Sequence, residues 1–199
     1  IKSLVNVGYW WYKMGDIAKY KLKSGNILKI VHDFDPENPR SWDNLGKLFF
    51  VTRSGIEINE LGIDMDIGNF QSIDEISNWL VENHGVCVVK DVFKYSHSGV
   101  AYNTTGFQCR FDSFQIGLIV CTTTDAEKEN FDPCGDMGKI EKILVGEVET
   151  YSQWASGEVY GFVIEDPDGE HLDSCYGFLG DTNPKENGMQ EHFDDEILE

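Results

Sequence analysis

Asp33, Asp35 and Glu37 stand two residues apart at the start of the run Asp33-Phe34-Asp35-Pro36-Glu37-Asn38-Pro39-Arg40-Ser41-Trp42-Asp43-Asn44-Leu45-Gly46. Oxygen-bearing side chains at that spacing serve a calcium loop at its first, third and fifth positions. The rest of the run departs from such a loop. Asn38 takes the place of the sharp-turn glycine, Asn44 that of the bidentate glutamate, and no helical pattern flanks either end. Two readings follow. In one, Asp33, Asp35, Glu37 and Asp43 serve a divalent ion, Ca or Mg, for metal-dependent or nucleotide-binding chemistry. In the other the site holds no cofactor, the aspartates cap turns, and Arg40 pairs with a carboxylate in a rigid acidic corner. Asp64-Met65-Asp66-Ile67-Gly68 is a weaker candidate of the same kind.

Other chemistry has less support. Paired carboxylates suit general acid/base work only inside a pocket that shifts their pKa values. His84, Cys87, His97 and Cys109 match no zinc-ligand spacing. The chain has no GxSxG, P-loop, GxGxxG at a strand-to-helix turn or HExxH. The expectation leans away from an enzyme.

The acidic run must be held by the elements around it. Lys19 to Lys23 alternates and leads through Ser24-Gly25-Asn26 into Ile27 to Val31, a β-hairpin pattern. After the run, Lys47 to Thr52 reads as a strand rich in aromatic and branched residues. Ser72 and Glu75 form a capping box for a helix over about Ile73 to His84, with Gly85 as its stop. Val86 to Phe93 reads as a strand, Tyr95 to Val100 as a turn, and Asp112 as part of a corner before the next strand. Ile116 to Thr122 is an apolar run expected to be a central strand covered on both faces. Thr124 with Glu127 fits the cap of a short helix, and a longer amphipathic helix runs from Asp136 to Ser156, ended by Gly157. Val159 to Ile164 and His171 to Tyr176 flank Asp166-Pro167-Asp168-Gly169, the clearest hairpin of the chain. Tyr9-Trp10-Trp11-Tyr12 is assigned to the core.

These elements predict an α+β fold: residues 1–180 as a single domain, with a mostly antiparallel, hairpin-built sheet and about two packed helices. Residues 181–199 form an acidic tail. Met189, Phe193 and Ile197 at a spacing of four suggest a short terminal helix with one apolar side, docking on its own domain or on a partner. Within the acidic run, Arg40 and Trp42 are assigned structural roles, with Trp42 and Leu45 anchoring the loop to the core. Asp112 is assigned a structural role as well.

Charge sets the expected partner. Among 199 residues, 35 are acidic and 16 basic, a formal net charge of −19. Such a charge repels phosphate backbones and anionic membranes and attracts basic surfaces. Direct nucleic-acid and membrane binding are therefore disfavoured. The apolar fraction of 41% and the aromatic fraction of 13% exclude a disordered composition. Cys87, Cys109, Cys121, Cys134 and Cys175 show no CxxC pair, so reduced thiols are expected. No apolar run approaches the length of a membrane span. A soluble, intracellular protein is the expectation.

Four segments carry a resemblance. They are Asp33 to Gly46, Arg110-Phe111-Asp112-Ser113-Phe114-Gln115-Ile116-Gly117, Gly146-Glu147-Val148-Glu149-Thr150-Tyr151, and Tyr160-Gly161-Phe162 with Asp173-Ser174-Cys175-Tyr176-Gly177-Phe178. In this order they resemble an uncharacterised bacteriophage-encoded protein family, over roughly residues 27–180. The resemblance implies the infected host cytoplasm and brings no activity with it. In that setting the charge points to an acidic accessory protein that resembles inhibitors of restriction or CRISPR nucleases. Such a protein would act as a DNA mimic, covering the basic groove of a host protein. The contact residues expected are Asp33, Asp35, Glu37, Asp43, Asp194, Asp195 and Glu196. A structural or assembly component docking through the terminal apolar stripe is the third reading.

Overall fold

The computed structural model describes residues 15–109, 111–194 and 196–198. The aromatic cluster Tyr9 to Tyr12, Arg110 and Asp195 lie outside the described residues. The architecture is α+β, with ten strands among the described residues in two five-stranded antiparallel sheets. The chain divides into two compact units, Ile1–Pro36 with Glu158–Glu199, and Glu37–Gly157.

In the first unit β1 (Ala18–Leu22) and β2 (Ile27–His32) form the expected hairpin. β8 (Val159–Glu165) and β9 (His171–Leu179) form the other. β2 pairs with β8 from Ile27↔Glu165 to His32↔Tyr160, so strands far apart in sequence lie side by side. Period-two alternation sends Leu22, Leu28, Ile30, Tyr160, Phe162 and Ile164 to one face, where they form the core of this unit. On the other face Gly161 leaves room for Tyr176, because a Cβ there would lie 2.2 Å from the tyrosine ring.

The tail departs from the expected helix. Met189–His192 is a single 3-10 turn, Phe193 is extended, and Ile197–Leu198 forms a short strand, β10, against β1. The local chemistry explains the difference. The turn starts after Gly188 at φ 83° without a side-chain cap, and the chain is already extended at Phe193, with φ −148° and ψ 143°. Met189 is fully buried, and Phe193 and Ile197 pack on the same core. The apolar stripe therefore completes its own unit.

The second unit is a sheet in the order β4-β3-β7-β5-β6. Its strands are β3 (Lys47–Thr52), β4 (Gly55–Asn59), β5 (Val86–Ser96), β6 (Val100–Asn103) and β7 (Ser113–Thr122). β4 was not foreseen, and β5 continues through residues expected to turn. α1 (Ile73–Asn83) begins at Ser72, whose Oγ accepts from the Glu75 backbone N–H at 3.2 Å. Its Ile76 and Leu80 pack with Phe49, Leu118 and Val120 on one face of the sheet. α2 (Thr123–Lys128) is capped by Thr122 rather than by Thr124.

α3 (Met137–Ser156) covers the opposite face with Ile140, Leu144, Val148 and Tyr151, and Gly157 ends it at φ 80°. Each fully buried aliphatic side chain contributes about 1.5–3 kcal/mol. As expected for a central strand, β7 is apolar on both faces. At its closest approach to β3 a Cβ on Gly117 would lie 2.1 Å from the Phe49 carbonyl oxygen, so only glycine fits. None of the described helices is long and apolar enough to cross a membrane.

Two tests follow from this packing. Met189→Ala should destabilise the protein by about 2–5 kcal/mol, read from the urea midpoint, because a fully buried side chain is truncated. Burial first, and then Tyr102, push the Tyr151 phenol up from its ordinary value of 10.0 to about 12. The folded state thus holds the phenol proton that the unfolded chain releases first. Stability should be intact below pH 10 and fall between pH 10 and about 12. Tyr151→Phe should flatten that part of a stability-versus-pH curve.

Candidate functional site

The loop between β2 and β3 crosses the unit boundary after Pro36. Asp33 and Asp35 belong to the first unit, and Glu37 and Asp43 to the second. Asp33 donates its backbone N–H to the Val159 carbonyl at 2.9 Å, and its Oδ1 accepts from the Asp35 N–H at 3.1 Å. Further along, Pro39–Ser41 forms a 3-10 turn. Asn38 caps it by accepting from the Arg40 N–H at 2.9 Å, and Glu37 Oε1 accepts from Ser41 Oγ at 2.8 Å. The aspartates, Asn38 and Glu37 do what short polar side chains do in turns, which is to satisfy local backbone and hydroxyl groups.

Arg40 points the other way. Its side chain is only 6% exposed. Nε and Nη2 donate to Glu60 at 3.0 and 2.6 Å, Nη1 donates to Glu147 at 2.9 Å, and Nη2 also donates to the Gly46 carbonyl at 2.7 Å. The two carboxylates are fully used in turn. Glu147 accepts from the N–H groups of Leu45 at 2.8 Å and Gly46 at 3.1 Å, and Glu60 accepts from the Leu48 N–H at 2.8 Å. Burial opposes the guanidinium charge, but the hydrogen bonds to Glu60 and Glu147 outweigh it and raise the Arg40 pKa. Gly46 must be glycine for this packing, since a Cβ would lie 2.6 Å from Leu144 Cδ2 and 2.9 Å from Glu147 Oε2.

Trp42 does not anchor the loop. Its side chain is 46% exposed while Leu45 is buried. The reason is that the guanidinium cluster already fixes the segment. The Trp42 backbone only closes the 3-10 turn, donating to the Pro39 carbonyl at 3.2 Å, and Asn44 Nδ2 donates to both the Pro39 and the Trp42 carbonyls.

Beside this cluster, within the second unit, lies a cleft of about 370 Å³, in the size range of small-molecule sites. Leu45, Ile143 and Phe131 give it an apolar part, and Asp43, Asp125, Glu129, Lys47 and Lys128 a charged one. Lys128 Nζ lies 3.9 Å from Asp43 and 3.8 Å from Glu129, longer than a direct hydrogen bond. Asp125 is already engaged by Thr122 Oγ1 at 2.7 Å. Asp43, with its side chain 88% exposed, is the one residue of the expected contact set that lines this cleft.

The remaining expected residues sit elsewhere. Asp194 is exposed, and Glu196 is exposed and pairs with Lys23 at 2.9 Å, its carbonyl accepting from the Lys23 N–H. Asp112 holds a corner of the second unit. Its carboxylate accepts from Cys109 Sγ at 3.2 Å and lies 3.4 Å from His97 Nδ1, and its carbonyl accepts from the Ser96 N–H. Among the described residues no group of three or more His, Cys, Asp or Glu side chains is placed to hold a metal ion.

Sequence reasoning missed Glu60, Glu147 and Phe131. An arginine inside a loop bounded by two apolar strands signals a buried ion pair, but nothing in the spacing selects its partners among 35 acidic residues. No protein-family model, curated protein or solved structure matches the chain.

Arg40→Ala should cost about 3 kcal/mol, the lower end of the range for a buried pair, because it leaves two partly buried carboxylates uncompensated. Arg40→Lys should recover only part of this, since an ammonium cannot reproduce the fork on Glu60. Glu37→Gln and Asp43→Asn should change stability by no more than about 0.5 kcal/mol. Chemical denaturation of the four variants checks the ordering.

Proposed function

We propose that this chain is an acidic bacteriophage accessory protein. It would act in the host cytoplasm by occupying the basic, nucleic-acid-binding surface of a host defence or nucleic-acid-handling protein. The observation that carries this reading is where the charges go. Lys19, Lys23, Lys29, Lys90, Lys139 and Arg40 are paired with carboxylates of the chain itself, none of them from the acidic loop. Asp35, Glu37, Asp43 and Asp194 remain at the surface. With 35 acidic against 16 basic residues, the formal net charge of −19 leaves anions in excess.

From Glu158 to the end, Lys185 is the one Lys or Arg in the sequence, against thirteen Asp and Glu. A surface of one sign steers association with a surface of the other and mimics the charge of a nucleic-acid backbone. The loop carboxylates also sit on turns closed by local hydrogen bonds, so less order has to be imposed when a partner binds.

The test is affinity purification from infected host cells, followed by binding to the recovered partner and to a panel of restriction and CRISPR nucleases at low and high salt. The expected result is a complex that weakens as salt rises and competes with DNA. The variant Asp33→Asn/Asp35→Asn/Glu37→Gln/Asp43→Asn should weaken it further. Either no complex across the panel, or one indifferent to both salt and the variant, would overturn the proposal.

A further inference from the structure

The five cysteines are free thiols, and two of them meet at an irregularity of the central sheet. β5 pairs with β7 through Val86↔Thr122 and then Val88↔Cys121, so Cys87 is an extra residue in the ladder. In a regular strand Cys87 and Val88 would face opposite sides of the sheet. A bulge sets two successive residues against one on the neighbouring strand and re-aims the extra side chain. Here Cys87 packs against the α3-side core, the core that contains Cys121. Cys87 Sγ donates to the Cys121 carbonyl oxygen at 3.4 Å, and Cys121 Sγ donates to the Thr122 carbonyl oxygen at 3.4 Å.

We propose that Cys87 and Cys121 form a redox-modifiable pair, in which a peroxide oxidises Cys87 and the product condenses with Cys121 to a disulfide joining β5 to β7. The electrons balance in two steps. The Cys87 sulfur attacks the peroxide, whose O–O bond breaks, giving a sulfenic acid and an alcohol or water. The Cys121 sulfur then displaces the hydroxyl from that sulfenic acid, forming the S–S bond and releasing water. Two thiol hydrogens and two electrons leave the protein, and the peroxide takes them up.

Burial assigns the order of events. Cys121 is fully buried, while Cys87 is half-buried and reachable by a small oxidant. Burial first, and then Cys87, also push the Cys121 thiol up to about 12, which makes it the less reactive of the two towards an oxidant. Cys109 and Cys134 are exposed and serve as internal controls, since they have more access to oxidant but are not set against another thiol by the ladder.

The experiment treats the folded, full chain with hydrogen peroxide, blocks the remaining thiols with iodoacetamide, and maps peptides without reduction. The expected product is a Cys87–Cys121 cross-linked peptide, about 2 Da lighter than the two thiol peptides together. It should form equally in the Cys109→Ser/Cys134→Ser double variant and be absent from Cys87→Ser. In Cys121→Ser, a dimedone adduct should accumulate at Cys87. The proposal is overturned if Cys87 and Cys121 both stay alkylatable while Cys109 or Cys134 is oxidised. A cross-link that appears only in urea would overturn it equally.

Discussion

A guanidinium that is 6% exposed cannot stand alone, and the surroundings of Arg40 are built to meet its demand. Taking such an ion out of water costs several kcal/mol, which is recovered only when every donor finds an acceptor in good geometry. Here the acceptors come from three places: Glu60, just after β4; Glu147, on α3; and the Gly46 carbonyl, at the entrance to β3. The carboxylates then take backbone N–H groups of Leu45, Gly46 and Leu48 that no strand partner satisfies. One cation thus fixes where β3 begins, how α3 lies over it and how the preceding loop turns. Its contribution is specificity of arrangement more than stability, because an apolar cluster of the same size would hold the elements together at less desolvation cost.

The first unit depends on a different constraint, the pairing of β2 with β8 across an insertion. Glu37–Gly157 lies in sequence between these two strands. Their ladder from Ile27↔Glu165 to His32↔Tyr160, and the Asp33 N–H on the Val159 carbonyl, hold these two strands together within the first unit. Pairing over such a separation forms late, because the loop-closure entropy is spent before the contacts reward it. The C-terminal segment compensates by adding Met189, Phe193 and Ile197 to the same core and a last short strand to the β1 edge. What reads in composition as an acidic tail is therefore the closing piece of a small sheet.

The elements with a strong period or a punctuating residue were legible in the sequence. The strand Lys47–Thr52, the helix Ile73–Asn83 with its Ser72 cap, the helix ended by Gly157 and both hairpins of the first unit are where the pattern puts them. Arg40 was legible as an ion-paired residue, but its partners were not, because Glu60 and Glu147 lie 20 and 107 residues away and are chosen by packing. Trp42 misled for the opposite reason. An aromatic residue in a loop implies an anchor, and nothing local shows that a buried arginine has already taken that role. Met189, Phe193 and Ile197 share a helical spacing by coincidence. Extended chain reaches the same core, and tertiary packing overrides a three-residue pattern.

The inward and outward halves of the acidic loop bear on each other. Because Arg40 takes its counter-charges from Glu60 and Glu147, it neutralises none of the loop's own carboxylates. Glu37 and Asp43, in the second unit, are left facing water on a backbone fixed by Pro39, the Asn38 cap and the Arg40 guanidinium. Had Arg40 pointed outward, it would have lowered the charge of the loop and left its shape to chance. Buried, it supplies the rigidity while the negative charge stays on the surface. That division would suit the proposed electrostatic contact, because the ordering cost would be met before a partner arrives.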